Sequence, residues 1–233
     1  MRGSTPVLLA IDTSTRTVGV ALYDGHQVLS ESVWTSSDHH TIELAPAITD
    51  LLAHSHVDIR SLCGIGVALG PGSFTGLRIG LALAKGIALV QHIPLIGIPT
   101  LDILAIAQEA MDIPMAAVLR AGRGKLAVGW YQLGADENEN LTWQNNLTIE
   151  ILTPMDLSQR IQSPTLICGE LTEEERRLFI RKRKNVILAS PASCLRRPSF
   201  LAELAWNRYL NGKLDDPGTI TPHYLHYNDP IPG

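Results

Sequence analysis

Apolar residues change their spacing repeatedly along the first hundred residues, and each change marks a new element. The opening run Val7-Leu8-Leu9-Ala10-Ile11 stops at Asp12 and reads as a buried strand. A polar turn at 13–16 leads to a second strand over 17–23, and Asp24-Gly25 is a two-residue hairpin signal. From Gln27 to Trp34 apolar and polar residues alternate, which completes an antiparallel three-stranded meander. Over 40–53 the period lengthens: Leu44, Ile48, Leu51 and Leu52 recur at helical spacing, and Pro46 falls near the helix start, where a missing N–H costs least. Residues 63–69 form a short apolar run suited to a buried strand. A helix over 74–90, a strand over 95–98 and a helix over 101–110 follow.

The second half repeats the theme more weakly. Residues 116–120 and 126–133 read as strands around Ala121-Gly122-Arg123-Gly124, 136–146 as a polar loop and 147–152 as a strand. Helices are predicted over 155–161, 173–180 and 200–210, short strands over 165–168 and 186–188, and a Pro-rich tail over 217–233. Meander, helix, strand, helix, given twice, predicts two similar α/β lobes with mixed sheets. The expected division is 1–100 for the first lobe and 101–194 for the second. Residues 195–233 form a C-terminal helix and tail that pack back on the first lobe.

Composition narrows the function classes. The 233 residues are 45% hydrophobic and 18% charged, with a net charge of −4, which excludes whole-chain disorder and strong sequence-independent binding to polyanions. The basic run Arg176-Arg177 and Arg181 to Lys184 follows three glutamates and reads as a solvated helix face, with a weak RNA contact as the outside option. Cys63, Cys168 and Cys194 are far apart and read as reduced thiols. The paired histidines His39-His40, His54 and His56, and His223 and His226 have no acidic or cysteine companion at metal spacing. The longest apolar stretch, 79–90, is short for a membrane span, and the N-terminal one is short for a signal peptide, so a cytoplasmic protein is expected.

Three features bear on chemistry. Gly70-Pro71-Gly72-Ser73-Phe74-Thr75-Gly76-Leu77-Arg78-Ile79-Gly80 lies between a strand and a helix start, where free N–H groups and the positive helix end suit a phosphate. It lacks the Gly-Lys-Ser/Thr of a phosphate loop, and a tight turn with Ser73 or Thr75 as helix cap is the simpler reading. Gly76, Gly80, Ala84 and Ala88 form a stripe of small residues on a helix that is apolar almost all round. Such a helix is covered either by this chain's own core or by another polypeptide. Asp12-Thr13-Ser14-Thr15 sets a carboxylate and three hydroxyls at a strand end, either for a metal and phosphate oxygens or as a hydrogen-bonded turn.

These residues resemble a known family. Ile11 to Thr15, followed by 18–22, is similar to the opening of the acetate kinase/Hsp70/actin superfamily. The 70–80 segment, Lys85-Gly86, Ile93-Pro94-Leu95 and Pro222-His223-Tyr224-Leu225 resemble the bacterial TsaB (YeaZ) family. The resemblance implies an α/β actin-like two-lobed fold. It also implies a non-catalytic scaffold that binds and activates TsaD, the paralogue that transfers threonylcarbamoyl to the tRNA adenosine beside the anticodon. TsaE would join as an ATPase, and tRNA would be an indirect substrate. The implied partner interface is Leu44, Ile48, Leu51 and Leu52 on one helix with Phe74, Leu77, Arg78 and Leu81 on the other. A homodimer through the same helices is the implied state without TsaD. Asp12, Thr13, Ser14, Gly72 and Ser73 are the candidate nucleotide or anion contacts. No cofactor or metal of its own is expected, with ATP or ADP and Mg placed at a composite interface. The superfamily's kinase or ATPase activity, or a glycopeptidase activity, is the rival. Arg120-Ala121-Gly122-Arg123-Gly124 stands where family members often carry an acid, and TsaD-like His-x-x-x-His is missing; both weigh against independent catalysis.

Overall fold

The computed structural model describes residues 6–36, 40–135, 139–181 and 185–225. Two compact units emerge: one holds the chain up to Ile103 together with Arg196–Pro222, the other is built on Leu104–Leu195. The first opens with β1 (Val7–Asp12), β2 (Thr17–Tyr23) and β3 (Val28–Thr35) and continues with α1 (His40–His54), β4 (Leu62–Gly70), α2 (Phe74–Gln91), β5 (Leu95–Pro99) and α3 (Thr100–Ile106). The second runs through β6 (Met115–Gly122), β7 (Lys125–Ala135), β8 (Leu141–Leu152), α4 (Pro154–Arg160), β9 (Thr165–Gly169), α5 (Glu173–Ile180) and β10 (Val186–Leu188). A last helix, α6 (Pro198–Leu210), belongs to the first unit.

Each unit carries one five-stranded sheet. The orders are β3-β2-β1-β4-β5 and β8-β7-β6-β9-β10, the same order given twice. In both, the first three strands are antiparallel and the fourth lies parallel to the first. The repeated mixed sheet with crossover helices is an α/β actin-like, two-lobed architecture.

Every residue of β1 is buried, because helices cover both faces of its sheet. The pleat sorts its side chains. Leu9 and Ile11 join Val18, Val20, Leu22, Val67 and the inward residues of α1 and α2. Leu8 and Ala10 join Ala21, Ala68, Ile96 and Leu201, Ala202 and Ala205 of α6. Small residues on the α6 face of the sheet, Ala10, Ala21, Gly66 and Ala68, let the helix come very close: a Cβ on Gly66 would sit 2.7 Å from that of Ala205. The start of α6 is fastened by a strand. Glu31 of β3 accepts Ser199 N and Oγ (3.0 and 2.7 Å) and Arg197 Nε (2.9 Å), so a carboxylate caps a helix whose own N-cap, Arg197, makes no side-chain cap.

In the second unit, α4 and α5 each start with a capping box, Thr153 with Asp156 and Thr172 with Glu175. The β6–β7 hairpin turns through Arg123 and Gly124, both at positive φ (50° and 71°).

Two boundaries differ from the sequence expectation by several residues. The strand expected to begin at Leu147 begins at Leu141, because the eleven-residue β7 offers a partner for Asn145 and Gln144 despite their low strand propensity. Asn145 also donates to the Tyr131 hydroxyl (3.1 Å). The helix expected to reach residue 110 ends at Ile106, and Gln108 folds back to donate to the carbonyls of Leu104 and Ser193 (3.0 and 2.7 Å). The helix expected over 74–90 is found as α2 (Phe74–Gln91), whose 18 residues are apolar enough to compare with a membrane span. One of its faces packs in the core. His39, Lys182 to Lys184 and the tail from His226 lie outside the described residues.

Glu31 also gives a pH prediction. Burial raises its pKa, but hydrogen bonds from Arg197 and Ser199 outweigh burial and hold it below the usual carboxylate value. Its contribution is therefore complete above that usual value, about 4.3, and is lost as pH falls through the depressed one. Glu31→Gln should lower the urea midpoint at pH 7 and flatten its fall between about pH 5 and 3. Parallel acid profiles for the two proteins would remove Glu31 as the cause.

Candidate functional site

The carboxylate expected at the end of β1 lies at the centre of a buried polar cluster. Asp12 is 1% exposed. Its Oδ1 accepts Ser14 N (2.8 Å) and Ser14 Oγ (2.5 Å), and its Oδ2 accepts Arg196 Nε (2.9 Å). Arg196 also donates through Nη2 to Thr15 Oγ1 (2.7 Å) and to the Thr17 carbonyl (3.2 Å). Ser14 Oγ meets Thr100 Oγ1 at 2.9 Å, and the Gly70 N–H donates to the same Thr100 oxygen (3.0 Å). The strand ends of β1 and β4, the start of α3 and the approach to α6 thus converge on one hydrogen-bonded knot.

The glycine-rich segment folds over that knot. The Ser73 N–H donates to the Ser14 carbonyl (2.6 Å), and Thr13 Oγ1 donates to the Gly76 carbonyl (2.7 Å). A Cβ on Gly72 would stand 2.3 Å from the Ser14 carbonyl oxygen. One on Gly76 would stand 2.2 Å from that of Thr13, and one on Gly80 the same distance from Thr13 Oγ1. Ser73 caps α2 by accepting the Gly76 N–H (3.2 Å), as expected.

The small-residue stripe and the candidate anion contacts can both be placed. The first half of the small-residue stripe admits another backbone, but it is this chain's own 12–15 loop; Ala84 and Ala88 face the sheet. Of the candidate nucleotide or anion contacts, Asp12, Thr13 and Ser14 are sealed and already hydrogen-bonded within the chain. Gly72 is half-buried and Ser73 exposed. A cation at Asp12 would have to displace the guanidinium of Arg196, which already supplies the compensating charge. Arg196 went unrecognised in the sequence because it lies 184 residues from its partner and no local pattern marks it.

The residues of the expected partner interface can be placed as well. Leu44, Ile48, Leu51, Leu52, Leu77 and Leu81 are between 1% and 9% exposed and face the core, so the chain itself covers both stripes. Only Phe74 and Arg78 of that set are exposed, and the Arg78 guanidinium lies 3.9 Å over the Phe74 ring. The outer faces carry other residues: Ile42, Ala45, Pro46 and Ala53 on α1, and Ala82, Gly86, Leu89 and Val90 on α2. Ile42, Leu89 and Val90 are 69%, 63% and 73% exposed. Gly86 sits mid-helix, and among the described residues nothing lies within 4 Å of an added Cβ.

The second unit has a cleft of about 590 Å³ that the sequence did not reveal, walled by Trp130, Glu150, Arg160 and Ile161. Trp130 Nε1 donates to Glu150 Oε1 (3.1 Å), and Arg160 pairs with the other Glu150 oxygen. The Arg120 guanidinium at the β6–β7 turn pairs with Glu175 (2.5 Å). Among the described residues no three His, Cys, Asp or Glu side chains cluster as metal ligands.

Comparison with known proteins identifies the family. The family model "TsaD: tRNA N6-adenosine threonylcarbamoyltransferase" matches residues 27–159. The chain is 37% identical over 125 residues to the "tRNA threonylcarbamoyladenosine biosynthesis protein TsaB" of Bacillus subtilis (strain 168), covering 54% of this chain and 55% of that protein. It is 32% identical over 159 residues to the protein of the same name in Escherichia coli (strain K12), covering 66% of each. These matches span from about half to about two thirds of the relatives' length. The solved structure "YeaZ from Pseudomonas aeruginosa" superposes with a TM-score of 0.74 at 25% identity, over 94% of this chain and 100% of that one. With more than half of its length under the family model, the chain belongs to the TsaD family and, within it, to the TsaB (YeaZ) group.

Proposed function

We propose that the chain takes part in forming threonylcarbamoyladenosine on tRNA, as a non-catalytic scaffold that binds and activates TsaD. The names of its TsaB relatives support the process. The outer face of α1 and α2 supports the mode of action, and Gly86 is the observation that carries it. A glycine inside a helix costs about 0.5–1 kcal/mol relative to alanine. Among the described residues nothing needs the space at Gly86. With exposed Ala82 one turn before it and Leu89 and Val90 after it, it leaves a shallow apolar strip on which a helix of another chain can pack closely.

The expected interface residues are thereby replaced. Phe74 and Arg78 stay in it, Ala82, Gly86, Leu89 and Val90 join it, and Ile42, Ala45, Pro46 and Ala53 extend it onto α1. The five buried leucines and Ile48 hold the two helices in place behind it. Activation follows when this face binds the competent state of TsaD more tightly than the idle one. TsaE acts as the ATPase of the same assembly, with ATP or ADP and Mg at a composite interface, and tRNA is met through TsaD. The setting is the cytoplasm. Without TsaD the same face pairs two copies of this chain. The rival reading, an ATP-dependent kinase or ATPase working at Asp12 or a glycopeptidase, is disfavoured by the engagement of both Asp12 oxygens inside the protein.

Two kinds of variant separate the outer face from the core. Gly86→Arg should keep or slightly raise the melting temperature, since helix propensity improves by up to about 1 kcal/mol. It should weaken the TsaD heterodimer at least about tenfold, a hot-spot effect. An unchanged heterodimer on size exclusion would remove this face from the proposal. Leu77→Glu, by contrast, puts an unpaired charge into the core and should unfold the first unit, which circular dichroism would report. Modification of tRNA by TsaD, TsaE and threonylcarbamoyl-adenylate should depend on added chain; equal yield without it would refute the scaffold role.

A further inference from the structure

Arg196 and Asp12 form a buried ion pair, with side chains 1% and 2% exposed. Desolvating two such charges costs several kcal/mol each, and good geometry only offsets that cost, so the pair is weak evidence for stability alone. Its position is more informative. On one side Arg196 holds Asp12, Thr15 and the Thr17 carbonyl. On the other, the same 12–15 loop grips the first turn of α2, through the Ser14 carbonyl on Ser73 N and Thr13 Oγ1 on the Gly76 carbonyl. Three glycines let that grip close to distances at which a Cβ would clash. The turn it grips carries Phe74, with Arg78 just beyond it, at one end of the exposed face of α2.

We propose that Arg196 is a positioning residue: its guanidinium, delivered by the lead-in to α6, locks the 12–15 loop and thereby sets the pose of the first turn of α2. Its consequence for TsaD binding rests on the function proposed above, while the lock itself does not. A guanidinium suits the task because its planar fork reaches the carboxylate and the Thr15 hydroxyl together, whereas an ammonium is a point charge. A pair that merely stabilised the fold would change opening evenly through the first unit. A positioning pair changes it locally.

The test is amide hydrogen exchange on the full chain. In Arg196→Ala the amides of Ser73, Gly76 and Leu77 should exchange at least about tenfold faster relative to those of Leu9, Ile11 and Leu51, with the rest of the unit little changed. Added n-propylguanidinium should restore their protection, and n-propylammonium at the same concentration should not. Faster exchange spread evenly over the unit, unchanged exchange at these three amides, or equal rescue by both cations would overturn the proposal. If Arg196→Ala does not fold, Arg196→Lys carries the same comparison: opening confined to the three amides supports the lock, and even or absent opening rejects it. TsaD binding is read separately. The folded variant should bind at least about tenfold more weakly and regain affinity with n-propylguanidinium. Undiminished binding by a variant with an opened first turn would overturn the link to the docking face. Failure of the unaltered chain to bind TsaD would refute the proposed function instead, leaving the exchange result to decide the lock.

Discussion

The first unit depends on satisfying a short run of polar residues deep in its interior. Asp12 to Thr15 are all less than a tenth exposed, at a point where two parallel strands, a glycine-rich turn and two helix starts converge. Charge compensation by Arg196 and hydroxyl contacts from Ser14, Thr15 and Thr100 meet the demand that every buried polar group find a partner. Much of the local sequence follows from this. Glycines stand at 72, 76 and 80 because the loop leaves no room for side chains, and threonine stands at 100 because Ser14 and Gly70 both need its hydroxyl.

The second unit shows what the same topology looks like without that demand. Its sheet has the same strand order, yet β6 and β7 are joined by a two-residue turn at Arg123 and Gly124. Arg120, near this turn, is exposed and pairs with Glu175 at the surface. The duplicated architecture therefore specifies where a strand-end loop lies, and the residues placed there decide whether it becomes a buried knot or an open hairpin.

The periodicity of the chain identified the strands of both meanders and the apolar stripes of α1 and α2, because burial on one side leaves a regular imprint. It could not tell what covers a stripe. Leu44, Ile48, Leu51 and Leu52 look alike whether a sheet or a second protein faces them, and here the sheet does. On the outward face Ile42, Leu89 and Val90 are interspersed with alanine, glycine and proline, whose low hydrophobic signal breaks up the pattern. Arg196 escaped for another reason: a contact spanning most of the chain leaves no trace in local spacing. The start of β8 was misplaced because pairing with β7, rather than the propensity of its asparagines, determines it.

The first unit is assembled from two stretches of chain separated by more than ninety residues that belong to the second. On the ribosome, the meander and its crossover helices emerge long before α6. Until that helix arrives, Leu8, Ala10, Ala21 and Ala68 have no cover on their side of the sheet, and Asp12 has no counter-charge. The intervening unit, whose strands are contiguous, is free to fold first. The order of completion during synthesis is then the reverse of the order of emergence, and the N-terminal half keeps one face of its sheet uncovered until the last helix closes it.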